Sequence, residues 1–155
     1  MDEIIQFPSP VTDEIWVRAC LKPQLESSVP ENIAALFEVV RGSMVYGWFF
    51  YPLITLATEQ CHRVVEAGAR LRCEQLGLAT KRVGKDGKSL DMKFADIVQS
   101  LVNAGAISRS DQPRWNSVRK LRNRSSHPAR QTILSPGMAL SIVEIAATFL
   151  NRLFK

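Results

Sequence analysis

Residues 52–76 read PLITLATEQCHRVVEAGARLRCEQL, and this stretch decides the fold. Ile54, Ala57, Cys61, Val64, Gly68 and Leu71 recur at intervals of three and four. That is the period of a helix with one apolar face, not of a strand. Pro52 begins or kinks this long helix and Gly77 stops it. Upstream, Ser28-Val29-Pro30-Glu31 has the S-x-x-E spacing of a capping box, with a proline at an early helical position. It predicts a helix running to about Arg41. Downstream, residues 79–89 (ATKRVGKDGKS) form a polar loop with two glycines. The letters GKDGKS suggest a phosphate loop. Only two residues separate the first glycine from G-K-S, where that loop needs four, and no strand precedes it. A tight turn is the reading.

Phe94, Ile97, Val98, Leu101 and Val102 mark the next helix, closed by Asn103-Ala104-Gly105. Ser110 and Asp111 cap a further helix with Trp115, Val118 and Leu121 inward, and Pro128 ends it. Ser135-Pro136 opens the last, striped by Leu140, Val143, Ala147, Leu150 and Phe154. No period-two segment stands out. The fold class is all-α, an up-and-down helical bundle of about four or five helices with one longer loop. Residues 1–27 read as an irregular acidic N-terminal arm, punctuated by Pro8, Pro10 and Pro23, with room for a short helix over Ile15–Leu21. Residues 28–155 read as a single helical domain.

The chain has 155 residues, 23% charged and 46% apolar. That balance excludes wholesale disorder, a collagen repeat and a disulfide-rich knot. Cys20, Cys61 and Cys73 make an odd set without a C-x-x-C pair, so they read as buried free thiols rather than metal ligands. Between Arg41 and Glu59 runs the uncharged segment GSMVYGWFFYPLITLAT. Gly42, Gly47 and Pro52 interrupt it, so it reads as buried helix around a kink rather than a membrane span. The opening MDEIIQFPSP has no basic region followed by an apolar one, which predicts a cytoplasmic protein without membrane association.

The formal net charge of +5 is unevenly spread. Residues 1–38 carry seven acidic and two basic side chains; residues 62–88 carry seven basic and three acidic; residues 109–130 carry seven basic against Asp111 alone. Clustered arginine suits phosphate, because each guanidinium can fork onto phosphate oxygens. Arg119, Lys120, Arg124 and Arg130 are therefore candidate nucleic-acid contacts. The same segment, WNSVRKLRNRSSHP (115–128), holds Arg122-Asn123 followed by His127, one of only two histidines. An imidazole there can take or give a proton near neutral pH, and a neighbouring arginine can hold a phosphate. Five residues turn about 140° around a helix, so Arg122 and His127 converge only where the helix ends between them.

At this point the chain resembles the HEPN superfamily (higher eukaryotes and prokaryotes nucleotide-binding). The resemblance covers roughly residues 45–154. It rests on E-Q-x-x-R-V-V-E (Glu59 to Glu66), the F-x-x-I-V-x-x-L segment with A-G-A-I-S (Phe94 to Ser108), and the R-N-x-x-x-H motif within Leu121 to Pro128. It implies an all-helical, HEPN-like domain acting as a metal-independent endoribonuclease, working as a homodimer with two R…H motifs lining one cleft. By that resemblance His127 would serve as base or acid, Arg122 would stabilise phosphorane charge and Asn123 would orient its neighbours. RNA would be the substrate, no metal or cofactor would be needed, and an antitoxin or a defence system would be the setting. Ala129 stands where one toxin branch has a modified tyrosine, so that regulation is not implied. The alternative is a non-catalytic HEPN-like RNA- or protein-binding or dimerisation module. There Asn123 and His127 pin the helix end and Arg122 pairs with a carboxylate such as Glu66.

Glu66 and Arg70 are spaced four apart, as a helix-surface ion pair or as residues lining the cleft. His62 reads as a surface or helix-contact histidine. Trp48, Phe49, Phe50 and Tyr51 could stack on bases, but their crowding points to core or to a dimer contact. Ser125 and Ser126 read as helix-end hydrogen bonders.

Overall fold

The computed structural model describes residues 12–125 and 134–155; within these, the side chains of Arg119 and of residues 121–125 lie outside the description. Six helices appear among the described residues: α1 (Asp13–Leu21), α2 (Glu31–Tyr46), α3 (Pro52–Gln75), α4 (Phe94–Asn103), α5 (Gln112–Ser125) and α6 (Pro136–Leu153). One small hairpin, β1 (Lys81–Val83) and β2 (Ser89–Asp91), joins α3 to α4. The protein is an all-α helical bundle.

Helix α3 is the axis of the bundle. It packs against α2, α4, α5 and α6, while α1 lies on α2 and α4 on α5. Its apolar stripe explains this: Ile54, Ala57, Cys61, Val64, Val65, Ala69 and Cys73 are all buried. Gly68 allows α6 to cross closely. A Cβ there would stand 2.5 Å from Leu150 Cδ2 and 3.6 Å from Phe154 Cε2. From α5, Trp115 stacks on Phe149 of α6 with centroids 4.9 Å apart.

Helix α2 starts where the sequence indicates, but not by the expected mechanism. Pro30 is its N-cap, no side chain caps it, and the Pro30 carbonyl accepts from the amides of Ile33 and Ala34 at 3.0 Å. The helix also runs five residues past Arg41, because Met44 continues its buried row of Ile33, Phe37 and Val40. The described part of the acidic arm is not peripheral. Thr12 caps α1 through a hydrogen bond from the Ile15 amide, and Trp16 and Cys20 enter the same core as α2 and α3. Trp16 Nε1 donates to the Met44 carbonyl at 2.9 Å. Asn151 of α6 fastens the following segment, accepting from the Glu26 amide at 2.8 Å and donating to the Gln24 carbonyl at 3.0 Å.

The uncharged segment is not a buried kinked helix. It ends α2, turns over residues 47–51 and starts α3, and its aromatic centre faces outward, with Phe49 78% and Phe50 59% exposed. The core role expected for Trp48–Tyr51 is therefore overturned. The four aromatics of residues 48–51 sit at the turn between α2 and α3, where Trp48 and Tyr51 are exposed as well. The Tyr51 hydroxyl donates to the Leu134 carbonyl just before α6. Among the described residues no helix is long and apolar enough to cross a membrane.

Residues 79–89 are a tight turn, but flanked by paired strands that the sequence reading did not foresee. Lys81, Arg82 and Val83 pair antiparallel with Asp91, Leu90 and Ser89. The Gly87 amide bonds the Gly84 carbonyl at 3.0 Å, the Gly84 amide bonds the Lys88 carbonyl at 2.7 Å, and Gly87 has φ +77°. A three-residue loop with glycine in the left-handed region is a standard hairpin closure. All six strand residues are exposed, so no apolar alternation announced them.

Candidate functional site

Helix α5 carries five basic residues and no acidic one: Arg114, Arg119, Lys120, Arg122 and Arg124. Buried Trp115 and Val118 fix its inward side. Lys120 is exposed, while the side chains of Arg119, Arg122, Asn123 and Arg124 lie outside the description. His127 and Arg130, with Ser126 and Pro128, lie outside the described residues, so the geometry of the R-N-x-x-x-H motif is not on view.

Glu66 and Arg70 are joined on α3. Arg70 Nη2 and Nε donate to Glu66 Oε1 at 2.8 and 3.1 Å, and Nη2 also reaches the Met92 carbonyl at 2.8 Å. Both side chains are largely covered, at 25% and 12% exposure. The guanidinium thus ties the end of the hairpin to α3, a structural duty for a residue also considered as cleft-lining.

A site that the sequence reading passed over lies between α3, α5 and α6. It is a cavity of about 520 Å³. Val65, Val118, Ile142 and Phe149 form apolar walls, with Arg114 and Arg152 exposed at its edge. His62 lines it from α3 and is only 6% exposed. Of the two places expected for His62, surface or helix contact, it takes the second, buried where α3 meets α5 and α6. Burial lowers its pKa, because the charged imidazolium loses its hydration. Among the described residues His62 makes no hydrogen bond, and its ring nitrogens are not among the fully buried unpartnered atoms.

The hydroxyls around the cavity are committed to their own helices. Ser117 donates to the Pro113 carbonyl at 3.1 Å, Ser141 to that of Gly137 at 3.1 Å, and Thr148 to that of Glu144 at 2.9 Å. At the edge, Arg114 and Arg152 each approach Asp111 at 3.4 Å, so two guanidiniums share one carboxylate. Glu144 faces Lys22 at 3.4 Å. The sequence hid this site because His62 sits beside Cys61 inside an apolar stripe. Its partners come from helices some 50 to 90 residues away. The usable signal was a histidine one position off the stripe of a central helix.

The three cysteines are buried and free. Desolvation pushes the Cys20 and Cys61 thiols up to about 12. Cys73 is raised by burial, opposed by the Arg70 charge and reinforced by Glu74. Among the described residues, no group of three His, Cys, Asp or Glu side chains comes together as a metal-ligand set. No family model, no curated protein and no solved structure matches the chain.

Proposed function

We propose that this chain is a HEPN-like domain that cleaves RNA without a metal. The observation that carries the reading is α5: an all-basic helix, packed into the bundle by Trp115 and Val118, leading directly into the motif of Arg122, Asn123 and His127. A phosphate chain lying along α5 meets the exposed Lys120 on its way to the motif. In the proposed reaction the ribose 2′-oxygen attacks the adjacent phosphorus and the bond to the 5′-oxygen breaks. His127 takes the 2′-hydroxyl proton or gives one to the leaving 5′-oxygen, and Arg122 offsets the charge on the crowded phosphorane. The products are a 2′,3′-cyclic phosphate and a 5′-hydroxyl. The resemblance brings with it a homodimer and an antitoxin or defence partner.

Purified protein incubated with RNA in EDTA tests this, beside His127→Ala and Arg122→Ala. Cleavage lost in both variants supports the reading. An inactive wild type, or cleavage that survives both changes, sinks it. A second reading, a non-catalytic RNA- or protein-binding module, draws on the exposed aromatic corner at Trp48–Tyr51, since apolar clusters of this kind mark interaction surfaces. It predicts salt-sensitive binding without cleavage, kept in His127→Ala.

A further inference from the structure

We propose that the cavity between α3, α5 and α6 is a binding site for a small amphipathic anion: an apolar or aromatic body bearing one carboxylate, sulfonate or phosphate group. Three independent features converge on that chemistry. The first is volume and lining. At about 520 Å³ the cavity lies within the range of small-molecule sites, roughly 300–1,000 Å³, and Val65, Val118, Ile142 and Phe149 give it the apolar walls such sites have.

The second is His62. Buried polar side chains in folded proteins are nearly always hydrogen-bonded, and the exceptions point to something missing from the protein's own contacts. His62 is 6% exposed, lines the cavity and makes no hydrogen bond among the described residues. A neutral imidazole offers one donor and one acceptor to whatever enters the cavity, ligand or water.

The third is the charge at the edge. Arg114 and Arg152 approach the two oxygens of Asp111 singly, at 3.4 Å each, not as forked pairs. Two guanidiniums against one carboxylate leave a positive excess and unused donors, which a ligand anion can complete. The other charge at the wall, Glu144, is offset by Lys22. The ligand therefore enters body first, rests against Phe149 and Ile142, and leaves its anion beside the arginines.

The test titrates the full chain with 1-anilinonaphthalene-8-sulfonate, read by fluorescence, and then displaces it with decanoate or decanol. The proposal expects saturable 1:1 binding, displaced by decanoate at concentrations at least tenfold below those needed for decanol. Arg114→Gln/Arg152→Gln, both surface changes, should weaken decanoate at least tenfold. Ser117→Trp, which fills the cavity from an exposed position, should abolish binding with an unchanged helical circular dichroism spectrum. Absence of saturable binding would overturn the proposal. So would equal displacement by decanol, or binding that survives both variants. Binding lost instead in Phe49→Ser/Phe50→Ser would also overturn it, since the dye would then sit on the aromatic corner.

Discussion

Acid should destabilise this protein through His62. In the unfolded chain the imidazole titrates near its ordinary value of about 6.5. In the folded chain burial holds it lower, and no protein acceptor stabilises the cation. Among the described residues, the charged groups that line the same cavity are Arg114 on α5 and Arg152 and Glu144 on α6, with Glu144 already offset by Lys22. Across the interval between the two pKa values the unfolded state therefore binds one more proton than the folded state. Stability then falls as pH falls, by up to about 1.4 kcal/mol per pH unit. Above about pH 7.5 both states are neutral and the contribution is flat. Urea denaturation of wild type and His62→Gln at several values from pH 8 to pH 5 measures this. The two proteins differ only at residue 62, so the difference between the curves isolates His62. The expected difference is constant at high pH and bends below about pH 6.5, with the wild type losing stability faster. Parallel curves would refute a buried neutral imidazole, and with it the floor of the cavity.

Gly68→Ala sets helix propensity, a gain of about 1 kcal/mol, against crowding of Leu150 at 2.5 Å, a cost of about 1–3 kcal/mol. Thermal unfolding should show a net loss, and a stabilised variant would show that α3 and α6 do not cross tightly. Trp16→Ala should cost about 3–5 kcal/mol, and Trp16→Phe, which removes the indole donor from a Met44 carbonyl that still accepts from the Gly47 amide, about 0.5–1.5 kcal/mol. A loss below about 0.5 kcal/mol in Trp16→Ala would mean that α1 is dispensable to the core. The buried thiols, with Cys20 and Cys61 pushed up to about 12, should resist an aromatic disulfide reagent at pH 8 and react in urea. Rapid labelling of the native chain would contradict their burial.

Helix α3 was legible because its spacing repeats through Ile54, Cys61 and Gly68 and its ends carry Pro52 and Gly77. Both are local signals. The stacked Trp115 was also foreseen as inward, from its distance to Val118. The hairpin was not, because β1 and β2 are wholly exposed and held by backbone pairing and one glycine at positive φ. The aromatic run misled for the opposite reason: hydrophobicity favours burial, but Trp48–Tyr51 fall at the turn between α2 and α3 and stay exposed among the described residues. The burial of His62 was not legible, since it depends on α5 and α6 arriving from far along the chain. The R-N-x-x-x-H motif was read as letters, and its His127 lies outside the described residues.

The charge pattern takes on a direction once the helices are placed. Residues 12–38 carry five acidic side chains and two basic ones and form α1 and the start of α2. Helix α1 packs on α2, and α2 on α3; α5, with five basic residues, packs on α3 and α4. The described acidic segment is thus part of the core on the α2 side of α3, not a flap laid along α5. Its charges are also partly spent: Glu26 faces Lys155 at 3.2 Å, and Glu38 pairs with Arg41. A polyanion approaching such a molecule is repelled at α1–α2 and drawn to α5, because separated charge orients an encounter before any contact forms. Under the RNA reading this has a measurable form. The logarithm of affinity for single-stranded RNA should fall linearly with the logarithm of salt, and Lys120→Gln should make the slope shallower by about 0.7, the loss of one phosphate contact. Glu31→Gln, at the start of α2, should leave the slope alone. A slope that Glu31→Gln alters and Lys120→Gln does not would place the polyanion on the wrong helix and break the argument.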